Sequence, residues 1–109
     1  MQPDPHPPLT HVVYHILLAL SRGARHGYGV IKDIAEATDG RLELEAGTLY
    51  AAIKRMRDDG WIDEVPGPDD ADARRRYYVL SARGREVLRT ESERLAAMVE
   101  LARRAQVIR

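Results

Sequence analysis

The chain alternates short apolar stripes with polar breaks, and the spacing within each stripe changes along its length. Leu9, Val12, Val13, Ile16, Leu17 and Leu20 recur at intervals of three and four, which puts them on one face of an α-helix. Thr10 is placed to cap that helix and Gly23 to stop it. A shorter helix follows, marked by Tyr28, Ile31, Ile34 and Ala35, after a turn region from Gly23 to Gly29; it closes at Thr38, Asp39 and Gly40. Leu42 and Leu44 lead into a third helix that begins near Ala46, with Leu49, Ile53 and Met56 as its buried stripe and Gly60 as its break. Trp61 to Val65 and Arg75 to Leu80 are β-prone runs divided by Pro66, Gly67 and Pro68 and a cluster of Asp and Ala, so they predict a hairpin with a long polar tip. Ser81 then caps a last helix whose stripe runs through Val87, Leu88, Leu95, Met98, Val99, Leu101, Ala102 and Ile108. The fold class expected is mainly α with a small β-hairpin.

Three helices followed by a hairpin make a winged helix-turn-helix, in which the third helix can enter a DNA major groove while the hairpin lies on the backbone. Fold alone does not establish function, so the outward side of the third helix decides the reading. With Leu49, Ile53 and Met56 inward, that side carries Thr48, Ala51, Lys54, Arg55 and Asp58, with Tyr50 on the flank. Gly47 and Ala51 allow close approach, Thr48 can bond a phosphate or base, and Lys54 and Arg55 offer donors to phosphates or guanine edges. The helix N-terminus adds partial positive charge. Arg74, Arg75 and Arg76 open the second strand, while Asp69, Asp70 and Asp72 crowd the tip, so the base of the wing is expected to touch DNA. Two alternatives stand beside this: an ordinary solvated helix face, and a winged-helix protein interaction module that meets another protein instead of DNA.

Composition changes this picture in three ways. Seventeen basic and seventeen acidic residues among 109 give a formal net charge of zero, so a DNA partner requires locally clustered basic groups. With no cysteine, disulfides and thiol chemistry are excluded. The longest apolar run, Ile16 to Leu20, is too short to span a bilayer, and the start is polar and Pro-rich, so no membrane partner and a cytoplasmic location are expected. The organisation expected is a mobile Pro-rich arm over 1–8, a winged helix-turn-helix over 9–80 and a C-terminal dimerisation helix over 81–109.

Other constellations carry less. His11 and His15 have the spacing of two metal ligands on a helix but lack a third, so no metal and no cofactor are expected. His26 reads as a capping or backbone-bonding residue before the second helix, and Trp61 as core or the edge of an effector pocket. Ser21, Ser81 and Ser92 lack nucleophile contexts, and Asp58-Asp59 and Asp69-Asp70 sit at a helix end and a loop tip, so no enzyme is indicated.

His26-Gly27-Tyr28, Gly47-Thr48-Leu49-Tyr50, Ile53-Lys54-Arg55-Met56, Asp59-Gly60-Trp61-Ile62 and Arg75-Arg76-Tyr77-Tyr78-Val79-Leu80 with Gly84 resemble, in order and spacing, the PadR family of bacterial transcription regulators. The resemblance runs from about Leu9 to Leu88 and points to the smaller branch, with a single C-terminal helix. It implies a homodimeric repressor of double-stranded operator DNA, often acting on a nearby transporter or stress operon, released in some members by a small-molecule effector. Glu45 and Ala46 stand where many relatives carry Ser and Pro, and the last helix lacks the tryptophan with which some drug-binding members stack flat ligands. DNA contacts are expected from Tyr28, Gly47, Thr48, Tyr50, Ala51, Lys54, Arg55, Arg75 and Arg76. Dimer contacts are expected from Leu88, Leu95, Met98, Val99 and Ala102. Should that stripe only complete its own domain's core, the protein would be monomeric.

Overall fold

The computed structural model describes residues 8–68 and 75–109. The expected arm up to Pro7, and the hairpin tip with Asp69, Asp70, Asp72 and Arg74, lie outside the described residues. Among the described residues there are four helices: α1 (His11–Leu20), α2 (Gly27–Ala37), α3 (Ala46–Asp58) and α4 (Ala82–Arg104). Three strands accompany them: β1 (Arg25–His26), β2 (Ile62–Val65) and β3 (Tyr77–Leu80). The helix order and the β2–β3 hairpin are those the hydrophobic spacing predicts, and the arrangement is a winged helix with a long C-terminal helix.

The helix ends follow from their own residues. Thr10 caps α1 by accepting the Val13 N–H at 3.1 Å, and Ser81 caps α4 by accepting the Gly84 N–H at 3.0 Å. Helix α3 stops because Gly60, at φ +79°, takes the left-handed position that a side chain would resist. There the Trp61 N–H reaches back to the Met56 carbonyl at 2.9 Å and the Gly60 N–H to Arg57 at 3.0 Å, satisfying carbonyls that the helix itself leaves open. The same geometry ends α4, with Gln106 at φ 63° and Val107 bonded back to Ala102 at 3.0 Å. Ile108 therefore lies beyond the helix whose stripe it was expected to join.

The sheet has one strand more than expected. Arg25 and His26, read as turn, pair antiparallel with β3, giving the order β1-β3-β2 with His26 opposite Tyr77 and Ile62 opposite Leu80. Two residues are too few to show an alternation in sequence, and their pairing depends on a strand some fifty residues away.

One core forms between these layers. Ile16, Leu17 and Leu20 of α1 meet Val30 and Ile34 of α2, Leu49, Ile53 and Met56 of α3, and Ile62, Tyr78 and Leu80 of the sheet. Val87 and Leu88 of α4 close it, with Leu88 only 8% exposed. Leu88 thus packs in the core of its own chain, which leaves little of it for the dimer face expected from the sequence.

Among the described residues one charged side chain, that of Glu91, is buried, and its role is also structural. Glu91 is 2% exposed and receives the Arg94 guanidinium as a fork, Nε to Oε1 at 2.8 Å and Nη2 to Oε2 at 2.5 Å. Its Oε2 also accepts the Leu9 N–H at 3.1 Å, which ties the segment before α1 to α4. Next to Glu91, the Ser92 hydroxyl lies 2.8 Å from that of Tyr14 and links α4 to α1.

A tighter constraint sits where α3, the hairpin and α4 converge. Ser81 donates from its hydroxyl to the Gly60 carbonyl at 2.7 Å and from its N–H to the Trp61 carbonyl at 3.0 Å. A Cβ on Gly84 would overlap that same Trp61 carbonyl oxygen and stand 3.3 Å from Leu80 Cδ2. Backbone cannot give way as a side-chain tip can, so Gly84→Ala should destabilise the protein by about 1–3 kcal/mol. Thermal unfolding checks this, and an unchanged melting temperature would refute the close approach. Gly47→Ala is the control: nothing lies within 4 Å of the added carbon.

Candidate nucleic-acid interface

Helix α3 presents its buried stripe to the core and leaves Gly47, Thr48, Ala51, Lys54, Arg55 and Asp58 exposed. Its N-terminus is open. Glu45 holds the N-cap position with no side-chain hydrogen bond to the helix amides, as the departure from Ser at this position implies. The first intrahelical bond closes at the Leu49 N–H, so geometry leaves the amides of Ala46, Gly47 and Thr48 without a helical carbonyl.

Along α3 from Tyr50 to Arg57, the start of α2 and strand β3 enclose a groove of about 610 Å³. Tyr28, Tyr50, Lys54, Arg75 and Arg76, all chosen from sequence, line it together. Tyr50 is set there by Gly27, against which its phenol packs so closely that a Cβ on Gly27 would collide with the ring. Tyr28 stands 71% exposed at the rim. Lys54 extends from the middle of α3, its side chain 80% exposed and 3.4 Å from Asp58 one turn on, a surface pair that water screens and that holds the lysine weakly.

The two wing arginines diverge onto the strands flanking β3. Arg75 Nη1 lies 3.2 Å from His26 Nε2 on the β1 side, while Arg76 reaches Glu64 of β2 at 3.4 Å. Glu64 also takes Arg57 from α3 at the same distance, so one carboxylate bridges the helix and the wing. His26 caps α2 by accepting the Gly29 N–H on Nδ1 at 3.1 Å, as its position before the helix predicts. Burial, and then the Arg75 charge, hold its pKa below the ordinary histidine value, with Asp33 opposing them, which favours the neutral ring.

Arg55 stands apart from this groove. It lines a second cleft, of about 550 Å³, between the start of α1, the end of α3 and the start of α4, together with Trp61, Met56, Val87 and Arg83. Lys54 and Arg55 are both exposed, yet they serve opposite flanks of the helix. His11 and His15 share a shallow groove with Asp39, but among the described residues no three His, Cys, Asp or Glu side chains gather to hold a metal.

The sequence family described as "Transcriptional regulator PadR-like family" matches residues 16–90, over two thirds of the chain. The chain belongs to the PadR-like family. Its members are transcriptional regulators and not enzymes. The fold agrees: a transcriptional regulator from Clostridium thermocellum superimposes with a TM-score of 0.73 at 26% identity, over 86% of this chain and 88% of that one. A PadR family transcription regulator from Clostridium difficile R20291 gives 0.70 at 24% identity, over 89% and 99%. Bacillus subtilis PadR, solved in complex with operator DNA, gives 0.63 at 22% identity, over 72% of this chain and 45% of that one. No helix among the described residues is long and apolar enough to cross a membrane.

Within this PadR-like chain, the groove also holds Arg57 and His26, which were not among the DNA contacts expected from sequence. Arg57 follows Lys54 by three and Tyr50 by seven, a helical spacing that places all three on one flank and was there to be used. His26 was seen only as a cap, because its place at the groove depends on the unpredicted pairing of β1 with β3.

Proposed function

We propose that this PadR-like regulator is a homodimeric repressor that binds operator DNA through the N-terminal half of α3 and the groove beside it. One observation carries the reading: Tyr28, Tyr50, Lys54, Arg57, Arg75 and Arg76, drawn from α2, α3 and the start of the returning wing strand, converge on one groove along the helix that also exposes Gly47, Thr48 and Ala51. A neutral protein gains a basic face only by such local gathering. In this reading α3 lies in the major groove with Thr48 and Lys54 toward the bases, and Arg55, on the other flank, toward the backbone on that side. Gly47 and Ala51 allow close approach, and Tyr28, Arg75 and Arg76 hold phosphates. A regulator of this kind acts where the genome is, which places it in the cytoplasm.

The dimer rests on α4. Its buried positions Gly84, Val87, Leu88 and Glu91 continue at the same spacing into Leu95, Met98 and Ala102, with Val99 alongside. Past Glu91, however, the stripe leaves its own core: Met98 is 46% and Val99 41% exposed. A second α4 supplies the missing surface, and the two-fold then presents two α3 helices about 34 Å apart, one turn of DNA. An effector is placed in the Trp61 cleft, where apolar side chains form the floor and Arg55 and Arg83 add positive charge.

Three measurements test this. Fluorescence anisotropy with a duplex from the gene's own upstream region should show affinity that falls steeply with salt, and the Lys54→Ala, Arg55→Ala double variant should lose about tenfold or more. Binding unchanged in that variant rejects the α3 assignment, while a chain with no DNA affinity that captures a protein partner supports an interaction module instead. Light scattering at micromolar concentration should give a dimer mass, reduced to a monomer by Met98→Glu with Val99→Glu; a monomeric parent overturns the α4 interface. Trp61, the sole tryptophan, should change its fluorescence when small organic acids enter the cleft, and a flat response across a varied panel removes the effector.

A further inference from the structure

His26 and Arg75 meet in a way that neither can satisfy alone. The His26 Nδ1 lone pair is committed to the Gly29 N–H at 3.1 Å, so the neutral ring carries its hydrogen on Nε2. Nε2 lies 3.2 Å from Arg75 Nη1, and a guanidinium only donates. Two donors therefore face each other. The opposite tautomer offers no escape, since a hydrogen on Nδ1 would point at the Gly29 N–H and cost α2 its cap.

The arrangement is held and not incidental. Tyr77 packs edge-on to the imidazole, with ring centroids 5.4 Å apart and planes at 84°, and the β1–β3 register sets His26 directly opposite it. Arg25, the neighbouring cation on β1, is taken up by Asp33 at 3.2 Å, so that carboxylate is already engaged. What two facing donors accept is an anion, whose oxygens bond both at once. His26 and Arg75 both line the basic groove, next to the exposed Tyr28.

We propose that His26 Nε2–H and the Arg75 guanidinium form a clamp for a single DNA backbone phosphate, which makes His26 a DNA contact as well as the cap of α2. The proposal rests on the DNA-binding reading above. The neutral ring favoured by burial and by Arg75 is the form that both caps the helix and presents Nε2–H. Tyr28, two residues on and largely exposed, stands at the rim of the same groove.

The deciding variant is His26→Asn, because asparagine keeps an acceptor for the Gly29 N–H but has nothing at the Nε2 position. It should melt like the parent and lose about tenfold in affinity. A phosphate carries no sequence information, so the loss should be equal on an upstream-region duplex and on a random duplex of the same length. Combined with Arg75→Ala, the second change should cost far less than it does alone, since both donors serve one phosphate. In the parent, 15N NMR should find His26 as the Nε2–H tautomer, with that resonance moving when duplex is added. Parent-like binding by His26→Asn, full additivity with Arg75→Ala, or an Nδ1–H tautomer would each overturn the clamp while leaving the DNA reading intact. A parent without salt-dependent DNA affinity would overturn both.

Discussion

The meeting of Gly60 and Trp61 with Ser81 and Gly84 fixes the relation between every part that matters here. Gly60 ends α3, and the carbonyls of Gly60 and Trp61 are held by the hydroxyl and the amide of Ser81, the residue that caps α4. Gly84 lets the first turn of α4 rest against the Trp61 carbonyl. The hairpin leaves from this point through β2 and returns to it through β3. The end of α3, the base of the wing and the start of α4 are thus one rigid corner, and the angle between the proposed reading helix and the proposed dimer helix is set there. Hydrogen bonds of this kind contribute only about 1 kcal/mol each, yet backbone in contact with backbone allows little relaxation.

Charge in the groove is balanced by design of position more than by number. Glu64 stands between Arg57 and Arg76, and Asp58 lies one turn from Lys54, so three of the groove's basic side chains have an acidic neighbour in the free chain. Pairs this exposed are worth well under 1 kcal/mol apiece, so they pre-position the basic groups without holding them firmly. In the proposed complex a phosphate competes with Glu64 for two arginines at once. That competition, and the repulsion between Glu64 and the duplex, would temper affinity more than the zero net charge does, because it acts at contact distance inside the Debye length.

Most of the fold was legible because it rests on local rules. Thr10, Ser81 and Gly60 do what their types do at helix ends, and the three-and-four spacing of Leu49, Ile53 and Met56 located the inward side of α3. What was not legible depends on distant partners. β1 exists only because β3 lies beside it, and with it goes the place of His26 at the groove. The spacing that assigned Leu88 to α4's stripe was right, but whether a stripe position meets its own core or a second chain is decided by where the domain ends, which no spacing records. Arg55 was correctly read as exposed, but exposure covers a wide arc of the helix. Only the packing of α4 and Trp61 beside it shows that it serves the flank away from Tyr50.

The uncapped start of α3 has a physical logic in the proposed complex. A Ser at position 45 would satisfy an amide of the first turn and stabilise the free chain by about 1 kcal/mol; Glu45 makes no such bond here. The carboxylate still favours the positive end of the helix, although less in water than a bond would. The amides of Gly47 and Thr48 consequently remain available to an oxygen from outside, and Gly47 has no side chain to keep that oxygen away. Stability withheld from the free protein at this one turn is recoverable on binding, since a phosphate accepting those amides gains the capping bond together with its electrostatic attraction to the helix. The opposing term is Glu45 itself, whose charge must turn from the phosphate. Affinity at this point is therefore set by the balance between two open amides and one carboxylate, a narrower balance than a neutral cap would give.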